Sequence, residues 1–459
     1  MPEQSEPSGL ERVFAEHAAV DAFDRERSLG PGELSPRARV QARIDAGSDS
    51  FLVLGARPRS QRPEARESSY GDGVVTAFGE VGGRMTAVLA DDPVAMAQSD
   101  GGVGKNKRIR TLTHAAQGCL PVVYFAQAAP ADLPAPEEGG LLGRYSDGPL
   151  IVPEVHFDDR SAPIVTILGG EVAPELQALA LDSDVVLRTP GGGATPIPSD
   201  VSLPDDAGAI ATAATLMRLI PTRDAAPLRR AADAPAPASA ALADEGASDL
   251  GAAAVAEALC DGGSIVPFAA DDAFAAGLAA LNGYPVAYVV GGGTAFTRAQ
   301  LEIFRRVVGI GARFAMPLIL AQHGVAYDEE ALGTTDYRRL VGEIAATIHG
   351  AETPKIAIIS RRGQSAGDFI LGGRELGTHY VIAWPDADVS TSEASPFTAA
   401  RAGALDGMGP WDASGLALVD DVVAPGETRA RLGTMLEIMA PIRALPPVVE
   451  DKKGRVPYR

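Results

Sequence analysis

The sequence is poor in cysteine. Its 459 residues include only Cys119 and Cys260, which are too few for a disulfide framework. A structural zinc site needs cysteines or histidines at short paired spacings, and neither the cysteines nor the six histidines show such spacing. We therefore predict no metal site and a reducing, cytoplasmic location.

Positive charge and long apolar stretches are also scarce. Forty lysines and arginines stand against 60 acidic residues, which gives a net charge of −20 at pH 7. A surface of this sign repels phosphate backbones and anionic lipids, so we expect neither nucleic acid nor a membrane as a partner. No apolar run reaches the roughly 18 residues of a transmembrane helix, and no apolar leader opens the chain, so we expect neither export nor membrane insertion.

An internal repeat organises the sequence, with an offset of roughly 200 residues. Each copy has the pattern of two strands around a tight turn, then an amphipathic helix, then buried strands. The corresponding segments are 78–89 and 278–289, 105–117 and 298–311, 120–125 and 316–321, 163–168 and 354–359, and 183–187 and 378–382. This order predicts two tandem α/β domains of ββαβ units, with crossover helices covering mostly parallel sheets.

The repeat also predicts the domain boundaries. We expect a polar N-terminal segment over 1–33, a first domain over 34–221 and a second over 250–459. Residues 222–249 between them are rich in alanine and proline, a composition that buries little apolar surface and is typical of a linker.

Several motifs resemble one known family. Residues 70–79, YGDGVVTAFG, are similar to the opening of the carboxyltransferase N-domain in acetyl- and propionyl-CoA carboxylases. Residues 118–123, GCLPVV, resemble a later strand of that domain, and residues 358–362 and 383–387 resemble segments of the C-domain. The likeness runs from about residue 34 to the end of the sequence, and it identifies the chain as similar to the β subunit of biotin-dependent acyl-CoA carboxylases.

This resemblance implies a crotonase-like fold (the ClpP/crotonase type) in both domains and transfer of CO2 from carboxybiotin to an acyl-CoA. Biotin would be carried on a separate carboxyl-carrier subunit, so a biotin carboxylase and a carrier are the implied protein partners. The resemblance also implies a homo- or hetero-oligomer, since many relatives form ring-shaped hexamers with active sites between an N-domain and a C-domain.

Carboxyl transfer to a thioester passes through an enolate, which needs backbone N–H donors. By resemblance, Gly169 and Gly170 surround the thioester, while Ser365, Ala366 and Gly367 surround biotin. The glycine pair of the family's first turn falls on Ala173 and Pro174 here, and proline has no N–H to donate. Two substrate-facing loops are also rewritten, at 127–132 and 323–327.

Four further residues are candidates for substrate binding. Lys107 aligns with a family lysine near bound CoA, although a solvated lysine at a helix start gives the same pattern. Gly292 and Gly293 lie between a strand and a helix, where they serve either as a plain turn or as an anion site. His323 ends a buried strand, a position of ligand-binding groups and equally of packed histidines.

Three functions follow from these residues and stay open at this point. The first is an active acyl-CoA carboxyltransferase with altered oxyanion loops. The second is a catalytically silent homologue that assembles with an active carboxyltransferase subunit. The third is another crotonase-type reaction, decarboxylation or thioester hydrolysis, with His323 or Glu175 as the acid or base.

Overall fold

A computed structural model describes most of the chain. The described ranges are 36–43, 52–59, 70–96, 102–127, 161–222, 236–293, 295–324, 331–361, 370–389 and 409–439, without Ala173, Ala194, Asp244, Glu245 and Leu332, and with a few positions near Val20. The contacts divide the chain into two compact units, Met1–Arg218 and Leu219–Arg459.

The first unit contains a seven-stranded sheet and its helices. The strands are β1 Leu52–Leu54, β2 Val74–Val81, β3 Arg84–Asp91, β4 Val122–Ala126, β5 Ile164–Leu168, β6 Val185–Arg188 and β7 Val201–Ser202. The helices are α1 Pro36–Arg43, α2 Pro93–Met96, α3 Gly102–Gln117, α4 Pro174–Leu181 and α5 Asp206–Leu219, the last of which ends at the unit boundary.

The second unit repeats this plan. Its strands are β8 Val266–Ala270, β9 Phe274–Leu281, β10 Tyr284–Gly291, β11 Leu318–Gln322, β12 Lys355–Ile359, β13 Tyr380–Ala383 and β14 Asp421–Val422. Its helices are α6 Ala252–Leu259, α7 Arg298–Arg313, α8 Thr335–Gly350, α9 Pro410–Gly415 and α10 Thr428–Met439.

Both sheets place their strands in sequence order. In the first, β1, β2 and β3 are antiparallel neighbours and β3 to β7 are parallel. In the second, β8, β9 and β10 are antiparallel neighbours and β10 to β14 are parallel. Parallel neighbours need crossover connections, and α3 and α7 occupy the same place after the hairpin. The predicted tandem ββαβ architecture is confirmed.

The two hairpins turn through paired residues of positive φ. These are Gly82 and Gly83, with φ of 60° and 76°, and Asn282 and Gly283, with φ of 48° and 78°. Two consecutive positive φ values are typical of a type I′ turn, which matches the twist of the flanking strands. The second turn is held by Asp261, whose carboxylate accepts the amide hydrogens of Asn282 at 2.9 Å and Gly283 at 2.8 Å.

The central parallel strands form the core of each unit. Every residue of β4, β5, β11 and β12 is buried. Strands covered on both faces in this way have nearly continuous apolar sequences, which explains their recognition from the sequence. None of the described helices is long and apolar enough to cross a membrane.

Part of the segment predicted as a linker is packed. Leu242 and Ala247 are buried in the apolar core of the second unit, and Pro237 pairs with Asp261 as an isolated bridge. Residues 223–235 of that segment lie outside the described residues. The extent of the linker stays a prediction.

Candidate functional site

The carboxyl ends of β4 and β5 bring Gly169 and Gly170 to one edge of the first sheet. The amide of Gly169 donates to the Ala126 carbonyl at 3.0 Å, which extends the pairing of the two strands. The Gly170 carbonyl accepts from the Thr195 hydroxyl at 3.0 Å, while the structure gives its amide hydrogen no acceptor among the described residues. Gly170 is therefore the member of the pair that can donate to a ligand.

Close packing explains why both positions are glycine. A Cβ at Gly169 would lie 1.9 Å from Cε1 of Phe125, and a Cβ at Gly170 would lie 2.4 Å from Cγ of Gln127. At the next strand end, a Cβ at Gly191 would lie 2.3 Å from the Gly169 carbonyl oxygen. Glycine is thus required at Gly169 and Gly170 by neighbouring side chains, and at Gly191 by the backbone of Gly169.

A buried charge cluster lies at the same edge. The Asp91 carboxylate at the end of β3 is 2.6 Å from Nη2 of Arg108 on α3, and it accepts the Tyr124 hydroxyl hydrogen at 2.5 Å. Its Oδ2 also accepts the amide hydrogen of Gln127 at 3.1 Å. Asp91 and Tyr124 are fully buried, and Arg108 is 2% exposed. The cluster thereby links strand β3, helix α3 and strand β4 next to Gly170.

Within this cluster the Arg108 side chain is charged and the Tyr124 side chain is neutral at pH 7. Burial alone would lower the pKa of Arg108, but Asp91 and Tyr124 outweigh that effect and the pKa is raised. Burial, followed by the Asp91 charge, raises the pKa of Tyr124 well above its ordinary value. The tyrosine therefore stays a hydrogen-bond donor at neutral pH.

Our reading of the sequence missed this cluster, although one signal was available. The buried face of α3 consists of Gly104, Arg108, Thr111, Leu112 and Ala115, which follow helical spacing. A cation on such a stripe must find an anion inside the core. No spacing in the sequence identifies Asp91 as that anion.

Lys107, next to Arg108, is half-buried and lies under the YGDG loop. Its Nζ donates to the carbonyls of Gly71 at 2.7 Å and Val74 at 2.5 Å. Asp72 of the same loop accepts the Gly104 amide hydrogen at 2.7 Å, so the loop is tied to the start of α3. Burial, together with the neighbouring Arg108 charge, lowers the pKa of Lys107 to about 7.

Lys107 also borders a small cleft in the first unit. The walls include apolar side chains of Val53, Leu54 and Val74, and the polar groups include Arg37 and Lys107. The carboxyl-bearing Asp92 also lines the cleft, so its charged groups are two basic residues and one acidic residue.

His323 is a buried, fully hydrogen-bonded histidine at the end of β11. Its Nδ1 is 2.8 Å from the Ser360 hydroxyl, and its Nε2 is 2.5 Å from the Leu250 carbonyl. Burial lowers its pKa, and the charge of Arg361 acts in the same direction. The Leu250 carbonyl can only accept, so Nε2 carries a hydrogen. The single hydrogen of the Ser360 hydroxyl is shared between Nδ1 and the Gln322 carbonyl, which lies 3.1 Å from the hydroxyl. Neither nitrogen is open to a substrate in this arrangement.

Gly292 and Gly293 follow β10 near His323. The Gly292 amide donates to the Ala273 carbonyl at 2.8 Å, and the His323 amide donates to the carbonyl of Gly291 at 2.7 Å. The following helix, α7, begins only at Arg298, where the Thr297 hydroxyl accepts the Gln300 amide hydrogen at 3.2 Å. The helix start is therefore capped by its own residues.

The predicted site residues fall into separate groups. Gly169 and Gly170 lie together at the first sheet edge, Lys107 borders the cleft of the same unit, and His323 lies near Gly292 and Gly293 in the second unit. Ser365, Ala366 and Gly367 lie outside the described residues. Across the described ranges, no group of three His, Cys, Asp or Glu side chains is arranged to hold a metal ion. The roles of all these residues stay predictions.

Comparison with solved structures defines the fold class. The chain is similar to the transcarboxylase 12S hexamer crystallised with hydrolysed methylmalonyl-coenzyme A, with a TM-score of 0.75, 18% identity and 99% of each chain covered. It is also similar to a single-chain, multi-domain long-chain acyl-CoA carboxylase, with a TM-score of 0.72 and 20% identity over 94% of this chain and 49% of that one. These matches show two tandem crotonase-type domains.

Sequence comparison gives the relatives. The chain is 24% identical to the biotin-dependent 3-methylcrotonyl-coenzyme A carboxylase beta1 subunit of Mycobacterium tuberculosis, covering 84% of this chain and 80% of that one. It is 22% identical to the mitochondrial methylcrotonoyl-CoA carboxylase beta chain of Dictyostelium discoideum, covering 80% and 68%. No protein-family profile matches the sequence. The chain is thus similar, at 22–24% identity, to beta subunits of acyl-CoA carboxylases.

Proposed function

We propose that this protein is an acyl-CoA carboxyltransferase subunit that transfers CO2 from carboxybiotin to the α-carbon of an acyl-CoA. The observation that carries the proposal is the match of both tandem domains, over 99% of the chain, to the transcarboxylase 12S structure. The amide of Gly170, at the end of β5, is the donor that we propose for the thioester.

Within this proposal the first unit binds the acyl-CoA. The amide of Gly170 donates a hydrogen bond to the thioester oxygen as it gains negative charge. The cleft beside Lys107 takes the anionic CoA moiety. Cations near phosphate supply charge-assisted hydrogen bonds, and Lys107 and Arg37 line this cleft.

The second unit takes the remaining roles. We assign Ser365, Ala366 and Gly367 to biotin, whose carboxylated form supplies the CO2, and His323, Gly292 and Gly293 to the support of the substrate pocket. The proposed partners are a biotin carboxylase and a biotin carboxyl-carrier subunit, in a homo- or hetero-oligomer. A cytoplasmic location fits the free thiols of Cys119 and Cys260, since reducing compartments keep thiols unpaired.

One observation favours a second candidate, a silent assembly partner of an active subunit. The helix after β5 begins at Pro174, which carries no N–H, and the Gly169 amide is already bonded within the sheet. The turn therefore offers fewer donors to an oxyanion than a turn with two free glycine amides. Removing one such donor commonly costs about 10²–10³-fold in kcat.

The test is carboxyl transfer in the reverse direction. The full-length protein is incubated with methylmalonyl-CoA and free biotin, and release of propionyl-CoA is followed by mass spectrometry. Release that depends on biotin and is lost in Gly170→Pro supports carboxyl transfer. If no release occurs, also in the presence of candidate carrier subunits, while the protein co-purifies with an active homologue, the assembly role replaces it.

A further inference from the structure

The backbone amide of Gln127 donates to a side chain, whereas the equivalent amide in the second unit donates to a backbone carbonyl. In the second unit, the amide at the corresponding position, His323, donates to the backbone carbonyl of Gly291 at 2.7 Å. In the first unit, the Gln127 amide donates instead to the side-chain oxygen Oδ2 of Asp91 at 3.1 Å. The same strand end is thus fixed by two different acceptors in the two copies.

A buried carboxylate is a costly acceptor, because it must be removed from water. Asp91 is fully buried, and its charge is accommodated only because Arg108 lies 2.6 Å away and Tyr124 donates a further hydrogen bond at 2.5 Å. Buried ion pairs are commonly no more stabilising than apolar side chains of the same volume. A buried pair of this kind is therefore better explained by what it positions than by its contribution to stability.

The Asp91–Arg108 pair positions the backbone of Gln127, which lies next to Gly170. Gln127 is the first residue after β4, and its Cγ lies so near Gly170 that a Cβ there would approach it to 2.4 Å. A shift of the Gln127 backbone therefore moves the group that packs on Gly170. Because misplacement of a reacting group by about 1 Å can cost roughly 100-fold in rate, this link is functionally significant.

We propose that Asp91 is a positioning residue of the acyl-thioester site, whose carboxylate fixes Gln127 over Gly170 and so sets the geometry around the Gly170 amide. This inference rests on the proposed carboxyltransferase function. It adds a residue at the end of β3, two strands away from Gly170 in the sheet, that contacts no substrate itself and acts through the backbone of Gln127.

The experiment compares kcat and KM for biotin-dependent release of propionyl-CoA from methylmalonyl-CoA by the full-length protein. In Asp91→Asn, an amide nitrogen replaces one carboxylate oxygen and donates where that oxygen accepted. The side chain can therefore no longer accept from Arg108 at one oxygen and from Tyr124 and Gln127 at the other. We expect kcat to fall roughly 10- to 100-fold with KM changed less than about threefold, because geometry and not CoA affinity is altered. Lys355→Met, a buried cation in the second unit, controls for loss of stability and should leave kcat within about threefold.

A second pair of variants tests the same bond from its donor side, which matters if Asp91→Asn does not fold. Gln127→Pro removes the amide hydrogen, whereas Gln127→Ala keeps it. We expect kcat of Gln127→Pro to be at least about tenfold below that of Gln127→Ala. Equal kcat in the two Gln127 variants, or a kcat of Asp91→Asn equal to that of the wild type, overturns the role of Asp91. The proposed carboxyltransferase function still stands in that case, provided that the wild-type protein turns over methylmalonyl-CoA. Absence of both turnover and acyl-CoA binding in the wild type overturns both.

Discussion

The guanidinium of Arg108 and the carboxylate of Asp91 are joined by two hydrogen bonds, from Nη2 at 2.6 Å and from Nε at 3.2 Å, in the interior of the first unit. Nη2 also donates to the Gly73 carbonyl at 3.2 Å. The pair thus connects helix α3, the end of β3 and the YGDG loop. The motif that carries the family resemblance is fixed to the sheet by a charge pair that the motif itself does not contain.

Arg108→Met is expected to destabilise the protein strongly. The substitution leaves the Asp91 carboxylate buried without its cation, a change that typically costs about 3–5 kcal/mol. The free energy of unfolding from urea titration measures the loss. The double variant Arg108→Met, Asp91→Leu removes both charges and should recover a large part of it, and a single variant within about 1 kcal/mol of wild type would contradict the assignment.

Alanine at Gly169 and Gly170 should have different effects. The new methyl group at Gly169 overlaps the buried ring of Phe125, and overpacking of this kind costs about 1–3 kcal/mol. At Gly170 it meets the flexible Gln127 side chain, which is able to move, so stability should fall less while acyl-CoA turnover falls more. Thermal unfolding and turnover of both variants check the contrast. A Gly169→Ala protein as stable as wild type would be inconsistent with this packing.

His323 should contribute to acid sensitivity. Burial holds its pKa below the ordinary value near 6.5, so below that pH the unfolded chain binds a proton that the folded chain does not. Stability therefore falls as pH drops from about 6.5 towards the lowered pKa, by at most about 1.4 kcal/mol per pH unit. His323→Gln removes this term and should flatten the curve of unfolding free energy between pH 7 and 5. Burial also lowers the pKa of His379, so some slope remains, and parallel curves for variant and wild type would refute the role of His323.

Lys355 should be a structural cation. Its buried Nζ donates to the carbonyls of Ile348 at 3.0 Å and His349 at 3.4 Å, near the end of α8, and to Leu376 at 3.2 Å. A cation there satisfies carbonyls that a helix end leaves unpaired. Lys355→Met should cost about 1–3 kcal/mol in unfolding free energy. An unchanged unfolding midpoint in urea would show that these contacts contribute little.

The fold was predictable because its signals are local. The paired turns at Gly82 and Gly83 and at Asn282 and Gly283, and the apolar runs of the buried strands, repeat in order and define both units. The bonds within the site were not predictable, because they join residues far apart in sequence. Asp91, Arg108 and Tyr124 share no motif, and the partner of His323 is Ser360, which becomes a neighbour only when β11 and β12 pair.

The hydrogen bonding of the turn after β5 could not be predicted from its glycines. The family resemblance put Gly169 and Gly170 together around the thioester, but the strand pairing commits the Gly169 amide to Ala126. Whether an amide is free depends on where a strand stops pairing, and this is decided by the register of its neighbours. Glycine composition alone carries no information on that register.

Acyl-CoA binding by the full-length protein, measured by calorimetry with propionyl-CoA, tests the central claim most directly. Carboxyl transfer requires that the first unit bind the thioester, whereas an assembly role does not. We expect a dissociation constant in the micromolar range for wild type and binding weakened at least tenfold by Gly170→Pro, corresponding to about 1.4 kcal/mol or more. No binding by the wild-type protein would contradict the carboxyltransferase assignment and leave the assembly role.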